Sequence, residues 1–394
     1  MITVAQASDF IQKQAYTSPI IQKPLLEALH NTLAHDVFSP IDWPTYPQSA
    51  MDGYGICLAN YTPGASFSTK QVVAAGDFIE DVLLGYNEAV RIFTGAFVPK
   101  GIDAIIQQEH IVWKEGVSYC PETVPAVGQH IRPAASQTKQ GELVAAVGDV
   151  LNPARCALLS GLGITSVSVF EKPRVHIVCT GNELVSPGEV LLPGKIYESN
   201  STALLLALQE QGITSVSVSR CSDSIIEIKQ VLQAAMAKAD VVLVTGGVSV
   251  GDYDFVVPAL TELGVETIFH GVKQKPGKPF YFGKLKQCAV FGLPGNPASV
   301  LTCFYRYTVP YLDACLQKKQ GGLKRCFLPM ATAYTKKAGL THFVKARVGE
   351  AGLEWLDHQE SYKMNGFAEA NAIVELEQGL ENPPAGTLVK VYLL

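Results

Sequence analysis

Between residues 174 and 317, short runs of β-branched and apolar residues alternate with longer stretches in which apolar positions recur every three or four residues. That alternation is the pattern of parallel strands joined by crossover helices. Residues 174–179 read as a strand, 201–211 as a helix stopped by Gly212, and 213–220 as the next strand. The cycle repeats with a helix over 224–239, a buried strand over 240–245, a helix over 255–263 closed by Gly264, and a strand over 265–272. A further strand spans 288–293, after which Asn296 as N-cap and Pro297 at the first helical position open a helix running to about residue 317. The expected fold of this part is a doubly wound α/β sheet.

The flanks read differently. Pro40, Pro44, Pro47 and Pro63, with many short alternating segments over 51–131, predict a separate β-rich lobe. Residues 152–159 make a helix, and Glu171-Lys172-Pro173 reads as a hinge into the α/β part. Lys318-Lys319-Gln320-Gly321-Gly322 reads as a flexible linker to a small domain of short strands ending over 387–394. The heptapeptide Gly-Ile-Thr-Ser-Val-Ser-Val occurs at 163–169 and again at 212–218. Its flanks share nothing, so each copy is a helix-stopping glycine followed by a strand, not a repeat unit.

A chain of 394 residues exceeds a single core, and 47% apolar against 17% charged residues describes a globular protein that buries large cores. A net charge of −5 argues against a general electrostatic footprint for nucleic acid or an acidic membrane, so any anion site is local. Nine scattered cysteines without a C-x-x-C spacing fit a reduced, cytoplasmic setting. The first 14 residues carry no basic-then-apolar signal, and no apolar run is long enough to span a bilayer.

In an open α/β sheet, ligands bind beyond the carboxyl ends of the strands, and several unusual loops fall there. Thr245-Gly246-Gly247-Val248-Ser249-Val250-Gly251-Asp252-Tyr253-Asp254 follows a strand and opens a helix. Its glycines, Gly246, Gly247 and Gly251, let backbone N–H groups approach a ligand at a helix N-terminus, where negative charge is favoured. Asp252 and Asp254 are compatible with an anion there if a Mg²⁺-type cation sits between them and phosphate oxygens; the plain alternative is that both cap the helix. Lys275-Pro276-Gly277-Lys278-Pro279 holds two ammonium groups on a stiffened segment, suited to phosphate, or is merely a solvated turn. Gly292-Leu293-Pro294-Gly295-Asn296-Pro297-Ala298-Ser299 is another strand-to-helix turn with free N–H groups. Glu183, in Thr180-Gly181-Asn182-Glu183, and Asp223 project toward the same edge, as metal or ligand contacts or as a solvated residue and an N-cap. Three anion-competent loops at one sheet edge predict a site for a phosphorylated, strongly anionic ligand with a divalent metal.

These four segments resemble the MoeA and gephyrin E-domain family of molybdopterin molybdenumtransferases, and so do Ser49-Ala50-Met51-Asp52-Gly53-Tyr54, residues 91–95 with Asp103-Ala104, and Ile131-Arg132. The resemblance covers nearly the whole chain. It implies an N-terminal domain over 1–50 and 138–172, an inserted β-rich domain over 51–137, a doubly wound molybdopterin-binding α/β domain over 173–318 and a small C-terminal β domain over 319–394. It implies a homodimer whose cleft combines the α/β domain of one subunit with the inserted lobe of the other. The implied reaction inserts molybdate into adenylylated molybdopterin, with Mg²⁺-dependent cleavage of the pyrophosphate and release of AMP. Molybdopterin adenylyltransferase and apo-molybdoenzymes are the implied transient partners.

Within that reading Lys275, Lys278 and Arg132 supply positive charge, while Asp254, Glu183, Asp223 and Asp52 bind metal or activate water. Thr94 and Ser249 donate to oxyanions, and Pro294, Gly295, Asn296, Pro297 and Ser299 frame the ligand. Taken locally, Asp52 is equally a turn residue before Gly53, Arg132 a surface ion-pair partner and Thr94 a turn hydroxyl. The chain departs from the family pattern at Ser136-Gln137, where relatives carry an acidic pair, and in Gly339-Leu340-Thr341-His342-Phe343, which lacks an arginine. Gly247-Val248-Ser249-Val250-Gly251 also matches the G-x-S-x-G elbow of serine hydrolases, but its neighbouring aspartates would repel an oxyanion, and no downstream histidine has a triad setting. An adenylylating relative and a non-catalytic scaffold are the nearer alternatives.

Overall fold

A computed structural model describes residues 1–249, 251, 254–350 and 352–394, so Asp252 of the glycine loop lies outside the described residues. The chain forms two compact units: residues 1–34, 148–152 and 166–394, and residues 35–147 with 153–165.

The first unit is built on a six-stranded sheet. Its strands are β1 (Val175–Thr180), β2 (Val216–Cys221), β3 (Val241–Thr245), β4 (Glu266–His270), β5 (Tyr281–Leu285) and β6 (Cys288–Leu293). The helices α1 (Asn200–Glu210), α2 (Ile225–Met236) and α3 (Val256–Glu262) connect them. Gly212 (φ +71) and Gly264 (φ +78) follow the ends of α1 and α3, as the sequence predicts. The spatial order is β2-β1-β3-β6-β5-β4. Successive residues of a strand face opposite sides, and every residue of β3 is buried, so the strand feeds two cores. Val241 and Leu243 join the α1 side with Leu204 and Leu208, while Val242 and Val244 join the α2 and α3 side with Leu232 and Leu260. Helices on both faces make the sheet doubly wound.

One expectation needs correcting. The sequence pattern makes the strand at 265–272 a parallel one, but β4 pairs with β5, and both the β4–β5 and the β5–β6 pairing are antiparallel. Residues 281–293 form a hairpin that inserts the unforeseen β5 between them, with Lys286 at φ +55 in the tight turn.

The long helix after β6 also differs in detail. It runs as α4 (Pro297–Cys303), a π-helical turn at Phe304–Thr308 and α5 (Val309–Cys315). Pro310 has no N–H for the ladder, and the wider turn sits immediately before it. A helix without a counterpart in the sequence pattern, Val4–Lys13, is opened by a Thr3–Gln6 capping box and buries Val4, Ala7 and Ile11 in the core that holds α1.

The C-terminal strands β7 (Arg325–Pro329), β8 (Thr341–Gly349), β9 (Gly352–Trp355), β10 (Ala372–Leu376) and β11 (Leu388–Leu393) form a sheet around Val344, Val374 and Val391. The two-residue strand Gln274–Lys275 joins its edge, parallel to Thr341 and His342 of β8. The expected flexible linker is tied down instead. The buried Asp313 carboxylate holds the Lys318 ammonium at 2.5 Å and accepts from Gly322 N at 2.8 Å. The expected hinge is likewise anchored, with Lys172 Nζ donating to Gly212 O at 2.6 Å.

The second unit is rich in β-strands. Its six strands run in the order Ala104–Gln107, Gly53–Ile56, Glu88–Ile92, Ser66–Val73, Val117–Tyr119 and Val112–Lys114. The helix Pro153–Gly161 packs in the same unit, where a Cβ at Gly161 would meet the Trp43 ring at 2.4 Å. Among the described residues no helix is long and apolar enough to cross a membrane. All nine cysteines are free thiols.

Candidate active site

The carboxyl ends of β1, β3 and β6 open into a cavity of about 930 Å³. The glycine loop after β3 reaches it because Gly246 sits at φ +87 against the sheet, where a Cβ would lie 2.5 Å from Thr180 O. Two bonds fix the loop from below. Val256 N donates to Gly247 O at 3.1 Å, and His270 Nε2 is 2.7 Å from Val248 O. Because a carbonyl only accepts, that ring nitrogen carries the proton. His270 therefore supports the loop backbone, and this ring nitrogen is committed to Val248 rather than to Ser249.

The lysine loop is built around one buried amide. Gln274, 1% exposed, donates from Nε2 to Pro276 O at 3.0 Å and Gly277 O at 3.3 Å, while its Oε1 accepts from the Tyr307 hydroxyl. Gly277 (φ +87) crosses the same spot, where a Cβ would lie 2.7 Å from Cys303 Sγ and from Gln274 Nε2. With its interior pinned, the loop turns both Lys275 and Lys278 outward to line the cavity. The π-helical turn carries Tyr307, so an irregularity in the helix meets an irregularity in the loop.

The carboxylates are partly engaged. Asp223 accepts from Thr180 Oγ1 at 2.7 Å and from Asn182 N at 3.0 Å, and Asn182 Oδ1 accepts from Asp223 N at 3.1 Å. These bonds tie the loop after β1 to the loop after β2; the N-cap of α2 is Ser224, not Asp223. Asp254 Oδ2 accepts from Gly251 N at 2.6 Å in a turn before α3, whose N-cap is Phe255. Neither aspartate caps the helix that follows it. Glu183 is exposed at the mouth. Among the described residues no three His, Cys, Asp or Glu side chains gather into a metal-holding cluster.

Most of the α/β residues singled out in the sequence line this one cavity: Thr180, Gly181 and Glu183, Asp223, the described residues of the glycine loop, both lysines, and Pro294, Gly295, Asn296, Pro297 and Ser299, whereas Asn182, Gly292, Leu293 and Ala298 do not. Asn296 is the N-cap of α4, but its side chain makes no capping bond; Nδ2 instead donates to Ser361 Oγ at 3.0 Å. Asp52, Thr94 and Arg132 belong to the second compact unit. There Asp52 Oδ1 accepts from Thr94 N and Oγ1, both at 2.8 Å, and those bonds hold the Asp52 carboxyl below its ordinary pKa. The Thr94 hydroxyl is thus given to Asp52, and Arg132 is exposed beside Gln48.

Sequence reasoning missed two walls. Tyr197, Glu198 and Asn200 precede and begin α1, where buried Glu198 accepts from Ser201 N at 2.8 Å and faces Arg220 at 3.5 Å. The polar run before the amphipathic α1 was the signal available for it. Gln359, Ser361 and Tyr362 come from the segment between the strand ending at Trp355 and the helix starting at Asn365, and nothing local in the sequence marks them. Cys179, under the floor, is no nucleophile, since burial pushes its thiol up to about 12.

Comparison with known proteins agrees with this geometry. Three family models match in series: the MoeA N-terminal region (domain I and II) over residues 2–163, a probable molybdopterin binding domain over 176–314, and the MoeA C-terminal region (domain IV) over 328–394. The chain is 33% identical to a molybdopterin molybdenumtransferase of Haemophilus influenzae, across 99% of this chain and 98% of the relative. It is 30% identical to one from Staphylococcus aureus strain COL, across 100% and 95%. A crystal structure of the molybdopterin biosynthesis moeA protein from Pyrococcus horikoshii OT3 superposes with a TM-score of 0.83 at 26% identity, covering 100% of each chain.

Proposed function

Since the chain belongs to the MoeA family of molybdopterin molybdenumtransferases, enzymes of molybdenum cofactor biosynthesis, we propose that its cleft binds adenylylated molybdopterin and molybdate, cleaves the pyrophosphate link and releases AMP. The observation that carries this reading is the convergence of two fixed lysines, three strand-to-helix loops and three carboxylates on one cavity of about 930 Å³.

Pyrophosphate and molybdate are both anions, so a site for them needs cations and N–H dipoles set in place before the reacting groups approach. Lys275 and Lys278 supply the charge, and their pinned loop limits the entropy lost on binding. The glycine loop, with Ser249, and the turn from Pro294 to Ser299 supply N–H and hydroxyl donors. In the cleavage step the oxygen of a water bonds to one phosphorus, the bridging oxygen leaves with the other phosphate, and the water's proton passes to a carboxylate, for which Asp254 is the candidate.

Mg²⁺ is held by one or two carboxylates, with phosphate oxygens and water completing the shell. Glu183, Asp223 and Asp254, around one cavity, are the residues that would hold such an ion. When bound, it would neutralise charge developing on the phosphate oxygens.

The reading extends to a homodimer in which Asp52, Thr94 and Arg132 of a second copy complete the cleft, and to the four-domain division of the chain. A cytoplasmic setting with molybdopterin adenylyltransferase and apo-molybdoenzymes as transient contacts goes with it. The test is to incubate the protein with adenylylated molybdopterin, molybdate and Mg²⁺ and to measure AMP together with reconstitution of an apo-molybdoenzyme. Both should appear. Tight ligand binding without AMP release would instead indicate a scaffold, and transfer of AMP from ATP to molybdopterin an adenylyltransferase.

A further inference from the structure

One wall of the cavity, carrying Gln359, Ser361 and Tyr362, comes from a segment outside the regular strands between Trp355 and Asn365. A buried lysine gathers its backbone carbonyls. Lys345, in the middle of β8 and 4% exposed, donates from Nζ to His358 O at 2.6 Å, Glu360 O at 3.3 Å and Lys363 O at 3.4 Å. An ammonium has three protons, and here three carbonyls of one loop receive them. The backbone of the same residue holds the Gln359 amide, with Lys345 N donating to Gln359 Oε1 at 3.0 Å and Gln359 Nε2 donating to Lys345 O at 2.7 Å. Gly366 leaves room for the lysine, since a Cβ there would lie 3.0 Å from Lys345 Cε and 2.8 Å from His358 O. The loop so fixed also bonds to the start of α4: Ser361 O accepts from Ala298 N at 3.0 Å, and Ser361 Oγ accepts from Asn296 Nδ2 at 3.0 Å.

We propose that Lys345 is a positioning residue for the reaction: its buried ammonium shapes the 358–363 loop into a cavity wall and thereby sets the affinity for the anionic ligand. The proposal rests on reading the cavity as the binding cleft. Lys345 is not itself among the residues lining that cavity, so its effect falls on binding and not on bond cleavage.

The test compares Lys345→Met and Lys345→Arg with the wild-type chain by amide hydrogen exchange over 358–363 and by KM and kcat for AMP release from adenylylated molybdopterin. Lys345→Met should lose exchange protection in that loop and raise KM about ten- to a hundredfold with kcat changed less than about threefold, while Lys345→Arg, which keeps donors for the carbonyls, stays close to wild type. Should Lys345→Met not fold, Gly366→Ala displaces the same ammonium while keeping its charge, and the same rise in KM is expected. A loosened loop with wild-type KM overturns the proposal, and so does full loop protection in Lys345→Met. The exchange readout does not depend on turnover, so a wild-type chain that releases no AMP would count against the proposed function, while loop protection in Lys345→Met would count against this one.

Discussion

Replacing Gln274 by leucine keeps most of the volume of a fully buried side chain and deletes every polar contact it makes. Two consequences follow. The Tyr307 hydroxyl loses its acceptor in a site so buried that its pKa is driven well above 10, and an unpaired hydroxyl there costs about 1–3 kcal/mol, which lowers the melting temperature by roughly 2–10 °C. The carbonyls of Pro276 and Gly277 lose their donor, so the segment between Lys275 and Lys278 is no longer fixed. Reordering two long side chains at about 0.5–1.5 kcal/mol each takes about 1–3 kcal/mol from ligand binding, a weakening of roughly five- to 150-fold. Calorimetric titration with adenylylated molybdopterin reads the affinity, and the melt reads the stability. Tyr307→Phe is the control: it removes the hydroxyl but leaves the amide's two bonds to the loop, so it should cost stability while binding changes much less. A Gln274→Leu protein that melts early but binds as tightly as wild type would refute the reasoning, because the lysines would then owe nothing to the amide beneath them.

Four further outcomes are expected. Glu375→Ala should destabilise the chain by about 3–5 kcal/mol in denaturant titration, because Glu375 accepts from Arg306 Nε at 3.2 Å, Lys390 Nζ at 3.2 Å and Tyr392 Oη at 2.6 Å, and Arg306 would be left buried and unpaired. His342 is pushed down to about 4 by burial and by the charges on Lys336 and Lys275, so between its ordinary value of 6.5 and about 4 the unfolded chain takes up a proton that the folded chain does not. Its contribution is thus intact above 6.5 and lost as pH falls through that window, and melts of His342→Gln should show a shallower acid decline than wild type. If the cleft is completed by a second copy, mixing inactive Asp52→Ala and Asp254→Ala chains and allowing exchange should restore about a quarter of wild-type AMP release, since half the dimers are mixed and half their sites intact; no recovery would place both residues in one subunit's site. Asp254→Ala alone should keep the wild-type melt and lose turnover, measured as AMP release.

The α/β part was legible because its signals are local. β6 matches its predicted limits, and β3 and the glycine-stopped helices fall within a few residues of theirs, since an apolar run between turn residues and a glycine at positive φ leave direct marks in the chain. The convergence of the anion loops was legible for the same reason: each lies after a strand, and strand ends share an edge. β5 was not, because Gly283 and Lys284 interrupt its apolar pattern. Gly283 is there for packing, as a Cβ would lie 2.5 Å from Tyr281 Oη and 2.9 Å from Glu266 O. The wall from Gln359 to Tyr362 was invisible for another reason. It is built by Lys345, whose acceptors lie 13 to 18 residues away and have no side-chain signature, since they are backbone carbonyls. Asn296 shows a third kind of miss, an N-cap correct in position whose side chain serves the 361 loop instead of the helix.

The central claim is that this cleft cleaves the pyrophosphate of adenylylated molybdopterin as molybdenum is inserted. The most direct measurement follows AMP and molybdenum cofactor in a single turnover of the wild-type chain and of Asp254→Ala, each saturated with adenylylated molybdopterin, molybdate and Mg²⁺. Wild type should release AMP in step with the appearance of cofactor, and Asp254→Ala should bind the ligand, melt as wild type does and release none. AMP release by Asp254→Ala at the wild-type rate, or cofactor formed by the wild-type chain with the adenylyl group still attached, would contradict the account.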